Sequence, residues 1–224
     1  MPLGSPYYLQ GMSYQRDPQQ IYRESFEIIR REANMERFPA DVEPVVARMI
    51  HASGSVDLAD DIDFTPGVAA SARAALLAGA PILCDSTMVA TGIIRSRLPR
   101  DNEVVCHLSD PALAQEAEAL GTTKTAAAVE RWRDQLDGAI VAIGNAPTSL
   151  FRLLEVLAET DARPAAVIGI PVGFVGAAES KEALRENDFG LDYLVVRGRR
   201  GGSAVTCAAV NAIASRAEMT NESV

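Results

Sequence analysis

The sequence contains only two histidines, His51 and His107, and three widely spaced cysteines, Cys84, Cys106 and Cys207. It has no Cys-x-x-Cys pair, so a zinc site built by the protein is not expected. An odd number of dispersed cysteines indicates reduced thiols, as in a cytoplasm, rather than a disulfide framework. The scarce residue types therefore predict no metal centre and a cytoplasmic protein.

Long apolar segments and a positive net charge are also missing. No apolar run reaches the roughly 18 residues that span a bilayer, and no signal-peptide pattern opens the chain. The net charge of −9 argues against nucleic acid or an anionic membrane as the main partner. With 224 residues, 48% of them apolar, the chain suits one domain. We expect residues 1–11 to be an expression leader, 12–216 the domain and 217–224 a flexible tail.

Familiar catalytic and nucleotide-binding motifs do not occur. Neither G-x-G-x-x-G nor G-x-x-x-x-G-K-[ST] is present, so a phosphate cradle is not expected. G-x-S-x-G is also missing, and a Ser-His-Asp or Cys-His mechanism would have to use His51 or His107. This favours a reaction whose difficult chemistry belongs to the substrate, with the protein supplying orientation and one proton.

The first predicted helix has an N-cap at Asp17, begins at Pro18 and runs to about Ala33. Its apolar residues are predicted to form one stripe, made of Ile21, Tyr22, Ile28 and Ile29. Ser25 falls within this stripe. It either allows close packing as a small residue or directs its hydroxyl at a ligand.

His51 lies in the last turn of a second predicted helix, which starts near Asp41 and stops at Gly54. It falls about 100° past Ile50, roughly opposite the centre of the apolar face, so it is not expected in the core of its own helix. A solvated surface histidine and a ligand-facing histidine both fit this position. The negative end of the helix dipole favours imidazolium here by about 0.3–1 kcal/mol. A third, alanine-rich helix is predicted over 66–78.

Apolar strands alternate with helices after residue 79. The segments that carry this pattern are APILCD (80–85), EVVCHL (103–108), 139–157, 165–184 and 191–214. Continuously apolar strands separated by helices indicate a parallel sheet covered on both faces. The predicted fold is therefore a single-domain, three-layer α/β sandwich with a mostly parallel, doubly wound sheet.

Three glycine-containing loops follow these strands, over residues 144–147, 171–176 and 198–203. Ligands of doubly wound folds bind beyond the carboxyl ends of the strands. Each loop leads toward a helix N-terminus, where free amides attract anions. Each loop alone is also compatible with ordinary turn chemistry, but three on one edge favour a binding site that includes Asn145.

Several cations are candidates for binding an acidic ligand. Lys124 is predicted in the first turn of a helix, where a cation opposes the helix dipole. It is either solvated or shares an anion with the nearby amides. Arg197, Arg199 and Arg200 could hold carboxylates bidentately, although such a cluster, Arg200 in particular, is also typical of solvated surface.

Five segments together resemble the precorrin-8X methylmutases of cobalamin biosynthesis and the closely related cobalt-precorrin-8 methylmutases. They are MIHASGSVD, AGAPILCDSTMVATGI, AIGNAPTSLFRLLE, PVGFVGAAESKEAL and GRRGGSAVTCAAVNAIA. The resemblance extends from about Ile21 to Ser215. It implies an isomerase without an organic cofactor, which moves a methyl group from C-11 to C-12 of a corrinoid to give hydrogenobyrinate.

The resemblance also implies roles for particular residues. His51 corresponds to the family's proton donor, Ser25 to a ligand-contacting serine, and Lys124 to a basic residue that is often arginine. The family is homodimeric, with its site at the subunit interface. A corrinoid is an apolar disc rimmed by carboxylates, so Met88, Val89 and Phe174 are expected at its faces. Asn145, Arg197 and Arg199 are expected at its rim.

Two other interpretations are compatible with the sequence. One is a non-enzymatic, flavodoxin-like module that binds an organic anion or a flavin. It explains the glycine loops but gives His51 no task. The other is a structural homo-oligomer whose loops only pack.

Overall fold

A computed structural model describes residues 14–215, and over that range the chain forms one six-stranded sheet with helices on both faces. The predicted leader, 1–11, and tail, 217–224, lie outside the described residues and stay predictions. The strands are β1 (Ile62–Phe64), β2 (Ile82–Cys84), β3 (Val104–Val105), β4 (Ile140–Ile143), β5 (Ala166–Gly169) and β6 (Tyr193–Val196).

The strand order is β1-β6-β5-β4-β2-β3. All neighbouring pairs are parallel except β1 with β6, which is antiparallel. The chain winds from β2 outward to β3 and then from β4 to β6 in the other direction. The winding therefore reverses between β2 and β4, which confirms the predicted doubly wound sheet and defines its switch point.

Ten α-helices surround the sheet within the described range. They are α1 (Pro18–Glu32), α2 (Glu43–Ser53), α3 (Leu58–Asp61), α4 (Val68–Leu77), α5 (Thr87–Gly92), α6 (Leu113–Ala119), α7 (Lys124–Glu130), α8 (Pro147–Glu159), α9 (Ala177–Arg185) and α10 (Ser203–Ala214). No helix in this part of the chain is long and apolar enough to cross a membrane.

Successive side chains of a strand point to opposite faces of the sheet, so the central strands contribute to two separate cores. Ile140 and Ala142 of β4 pack with α1, α2, α4, α5 and α10, whereas Val141 and Ile143 pack with α7, α8 and α9. All four side chains are buried. The sheet is therefore covered on both faces.

The predicted stripe of α1 is wrong at two positions. Phe26 and Ile29 are buried, but Ile21 and Ile28 are 44% and 42% exposed. The helix packs chiefly on α2, so only the narrow face of Tyr22, Phe26 and Ile29 is covered. Two apolar side chains are thus left on the outer face of α1.

The predicted strand EVVCHL shortens to the two residues of β3. His107 lies beyond the strand and not inside it. It is half-buried, and its Nε2 atom is buried without a hydrogen-bond partner among the described residues.

Candidate active site

Asp85 organises the carboxyl edge of the sheet at the switch point. It follows β2 directly, and its Oδ1 accepts the N–H of Gly144 at 2.9 Å. Its Oδ2 accepts the N–H groups of Asn145 at 2.9 Å and Ala146 at 2.8 Å. Asp85 is fully buried. Burial raises the pKa of its carboxyl group, and the three N–H donors oppose that rise.

This internal carboxylate corrects one expectation from the sequence. The amides of residues 144–146 were expected to be free for an anionic ligand. They instead donate to Asp85, because a nest of N–H groups binds a carboxylate of the protein as readily as one of a ligand. The loop is thereby fixed, and Asn145 offers a ligand its exposed side chain.

A cluster of threonine hydroxyls joins the starts of α7 and α8. The oxygen atoms of Thr123 and Thr148 lie 2.9 Å apart, and those of Thr125 and Thr148 lie 3.1 Å apart. Lys124, the first residue of α7, is exposed beside this cluster, and Asn145 lies three residues before Thr148. The cluster therefore brings Lys124 and Asn145 to adjoining helix starts.

An open groove of ≈ 430 Å³ lies between the loops that follow β5 and β6. It is lined by Ser55, Leu58, Val172, Gly173, Phe174, Arg199, Arg200, Gly201 and Val205. Phe174 is 84% exposed, and the guanidinium carbon of Arg199 lies 5.4 Å from the centroid of its ring. An apolar surface beside cations suits a ligand with an apolar body and acidic groups.

The three candidate arginines are not equivalent. Arg199 and Arg200 line the groove, whereas Arg197 is outside its lining and donates to the backbone oxygen of Asp60 at 3.2 Å. Arg200 forms ion pairs with Asp57 at 2.6 Å and Asp61 at 3.5 Å. The sequence left open whether Arg200 holds a carboxylate or is solvated surface, and the structure places it in the lining of the groove.

His51 lies at the same edge of the molecule. The start of α2 lies beside the end of α10, where Pro44 and Val45 share a small cavity with Ala212 and Ile213. The two helices therefore run antiparallel, and the end of α2 that carries His51 lies toward the start of α10. A left-handed Gly54, with φ 66°, then stops α2.

The chain reaches the groove soon after His51. Ser55, which lines the groove, is four residues further on, and four residues span at most about 14 Å. His51 itself is not among the residues that line the groove. Its ring is exposed on the α1 side of α2.

Two aromatic rings of α1 hold the imidazole of His51. The ring of Phe26 stacks on it, with centroids 5.2 Å apart and an interplanar angle of 16°. The ring centroids of Tyr22 and His51 lie 5.8 Å apart. Arg48 donates a hydrogen bond to the Tyr22 hydroxyl. Partial burial and then the charge of Arg48 lower the pKa of His51.

The direction of this shift is opposite to the one expected from the helix end. A dipole at an exposed helix terminus contributes only about 0.3–1 kcal/mol. Desolvation and a neighbouring guanidinium both disfavour imidazolium, and they dominate here. His51 therefore carries a neutral ring at neutral pH in the free protein.

We expect His51 to be half-protonated below its ordinary pKa of 6.5, as measured by an NMR titration of ring carbons. Only two histidines contribute signals. Replacing Arg48 with glutamine should raise the pKa of His51, because it removes the neighbouring positive charge. Replacing Arg31, which pairs with Glu32 at the end of α1, is the control. A His51 pKa above 6.5 in the free protein would contradict this account.

Ser25 and Met88 occupy different parts of the same edge. Ser25 lies on α1 between Tyr22 and Phe26, which contact His51, and its Oγ donates to the carbonyl of Ile21 at 2.7 Å. Met88 lies on α5 and is 73% exposed. Both positions are accessible to a ligand or a second subunit.

Val89 is buried, which contradicts its predicted contact with a ligand face. Its Cγ2 atom occupies the space next to Gly144, where an added Cβ would lie 2.8 Å from it. Val89 therefore packs against the loop after β4. Elsewhere between residues 14 and 215, no group of three or more histidines, cysteines or acidic residues is placed to hold a metal ion.

The sheet and the groove define a doubly wound α/β protein with a candidate ligand site beyond the carboxyl ends of its strands. Residues 20–216 match the family model described as precorrin-8X methylmutase. The chain belongs to the precorrin-8X methylmutase family, as its motifs predicted.

Individual relatives agree with this membership. A precorrin-8X methylmutase of Pseudomonas aeruginosa is 56% identical over 210 residues, covering 92% of this chain and 100% of that protein. A cobalt-precorrin-8 methylmutase of Priestia megaterium is 38% identical over 202 residues, covering 90% of this chain and 89% of that protein. A solved structure of the precorrin-8X methyl mutase from Thermus thermophilus has a TM-score of 0.79 and 41% identity, covering 89% of this chain and 96% of that chain.

Proposed function

We propose that this protein is an isomerase of cobalamin biosynthesis that moves a methyl group from C-11 to C-12 of precorrin-8X and yields hydrogenobyrinate. The family match over residues 20–216 carries this proposal. An exposed imidazole at the groove end of α2 is consistent with it. A flavodoxin-like binding module is not supported, because the similar proteins are methylmutases.

His51 is the residue that exchanges a proton with the macrocycle in this proposal. Protonation withdraws electron density from the ring system and lowers the barrier to migration of the methyl group. Arg48 and partial burial disfavour imidazolium in the free protein. A substrate rich in carboxylates supplies compensating negative charge, so its binding raises the pKa of His51 toward that of a proton donor.

The remaining contacts follow the chemistry of the ligand. Lys124, Arg197 and Arg199 meet rim carboxylates, Ser25 and Asn145 provide hydrogen bonds, and Met88 and Phe174 cover the faces of the disc. No cofactor takes part. Neither nucleic acid nor a membrane is proposed as a partner, and the reduced thiols suit a cytoplasmic enzyme.

Anaerobic incubation with purified substrate tests the proposed reaction. Isomerisation changes the absorption spectrum of the chromophore and leaves its mass unchanged. Precorrin-8X should be converted faster than its cobalt-containing counterpart, since identity is higher to the relative named for precorrin-8X. Unchanged spectra with both substrates would overturn the proposal.

We also propose that two copies of the chain form a homodimer with the active site at their interface. The apolar side chains of Ile21 and Ile28 are exposed on α1, on either side of Ser25. Phe174 and Val175 are exposed on the loop after β5. A second subunit would cover such surfaces and close the open side of the groove.

Replacing Ile21 and Ile28 together with glutamate should shift the protein from dimer to monomer, because charges would be buried at the interface. Turnover should fall by more than about tenfold, since the second half of the site is lost. Light scattering coupled to size-exclusion chromatography and a turnover assay measure the two effects. Leu77, which is 46% exposed on α4, provides a matched control as Leu77→Glu. A fully active dimer of the double variant would refute this interface.

A further inference from the structure

Lys181 is a fully buried charged residue outside the groove lining. It lies on α9, and its Nζ donates to the backbone oxygen of Arg200 at 2.7 Å. Lysine is almost never completely buried unless it is paired, because desolvating an ammonium group is costly. Its hydrogen bond holds one peptide of the loop between β6 and α10, and this loop carries Arg199 and Arg200.

The same loop is held against the loop after β5 by backbone contacts. The N–H of Gly202 donates to the backbone oxygen of Ile170 at 2.9 Å, and the N–H of Gly173 donates to the backbone oxygen of Arg199 at 3.2 Å. A Cβ at Gly201 would lie 2.4 Å from the oxygen of Ile170. The two walls of the groove are therefore joined through their backbones, and Lys181 fixes the segment between Arg199 and Gly201.

We propose that Lys181 is a positioning residue whose ammonium group holds the β6–α10 loop so that Arg199 and Arg200 face the groove. This inference rests on the proposed function and deepens it, since Arg199 meets the acidic rim of the ligand and Arg200 lines the same groove. Lys181 itself does not contact the ligand. Its effect passes through the carbonyl of Arg200.

The charges around Lys181 support an ammonium group at this position. Burial lowers its pKa to about 8, whereas Asp61 and Glu182 act in the opposite direction. The group is therefore mostly protonated at neutral pH. Asp61 also pairs with the guanidinium of Arg200, so the backbone and side chain of Arg200 are held by one connected set of charges.

Replacing Lys181 with methionine tests this role, because methionine has a similar length and no charge or donor. Hydrogen exchange of residues 198–204, measured by mass spectrometry without substrate, should become at least about tenfold faster, as expected when a charged hydrogen bond is lost. The KM for precorrin-8X should rise about tenfold, with kcat changed by less than about threefold, because binding is weakened and the chemistry is not. The control is Glu179→Gln, a substitution at an exposed position on the same helix.

The possible outcomes separate this inference from the proposed function. The role of Lys181 would be overturned if Lys181→Met left hydrogen exchange in residues 198–204 unchanged. It would also be overturned if the variant lowered kcat about tenfold and left KM unaltered. An inactive wild type would instead overturn the proposed function and leave the exchange measurement valid.

A measurement on the wild type covers the case in which Lys181→Met does not fold. The sequence has only two lysines, Lys124 and Lys181, so a lysine-labelled sample gives two side-chain NMR signals. A slowly exchanging ammonium signal from Lys181 is expected below pH 7, with the exposed Lys124 as the internal reference. If neither lysine gives a protected signal, the proposed hydrogen bond is refuted.

Discussion

His51→Asn is expected to lower kcat by about 10²–10⁴-fold, the usual range for loss of a general acid or base. Binding of the product should change little, because asparagine keeps a polar group of similar size at the end of α2. Turnover is measured from the absorption change of the corrinoid, and binding from its spectral titration. The large loss in kcat with affinity maintained identifies a residue that acts in the chemical step.

The second histidine provides the matched control for this experiment. His107→Asn removes the same functional group from a half-buried site beyond β3 and should leave kcat near the wild-type value. The pH dependence adds an independent criterion. If His51 donates its proton, kcat/KM falls as pH rises through the lowered pKa of the free enzyme. Full activity of His51→Asn would remove His51 from the mechanism.

Asp85→Asn is expected to lower the free energy of unfolding by about 2–4 kcal/mol, since a charged acceptor of several N–H groups is lost in a buried site. The new amide has one oxygen, so its NH2 group must face a backbone N–H of the loop after β4. Urea denaturation measures the loss. The loop that carries Asn145 should also loosen, so kcat/KM for the corrinoid should fall in the folded variant.

An exposed aspartate offers the comparison for this substitution. Asp137 accepts a single backbone N–H, from Arg163 at 3.0 Å, and it is solvent-exposed. Asp137→Asn should cost less than about 1 kcal/mol, because water replaces the lost contact. Equal destabilisation by the two substitutions would show that Asp85 does not organise the switch point.

Local sequence signals predicted several elements correctly. Asp17 caps α1 and accepts the N–H of Gln19 at 2.9 Å, and Gly54 ends α2 in a left-handed conformation. The apolar runs around β4, β5 and β6 predicted the parallel sheet. These features depend on neighbouring residues alone, so a single sequence contains them.

Features that depend on distant residues were missed. β1 has three residues, and its antiparallel pairing joins Ile62 to Val196. Nothing near Asp85 indicates that it accepts amides some 60 residues later in the chain. The covered face of α1 likewise depends on where α2 docks. The signal available for Asp85 was its position, a carboxylate immediately after a buried strand, and that position gives no partner.

Because α2 packs on α10, the end of α2 that carries His51 can be fixed in place only after α10 has been synthesised. The helix that carries His51 packs most extensively on Ser203–Ala214, a segment that is synthesised later. On the ribosome, α2 therefore waits for about 150 further residues, which at about 5–20 residues per second takes roughly 8–30 seconds. A nonsense mutation that removes α10 would leave His51 encoded, but α2 would lack its main packing partner.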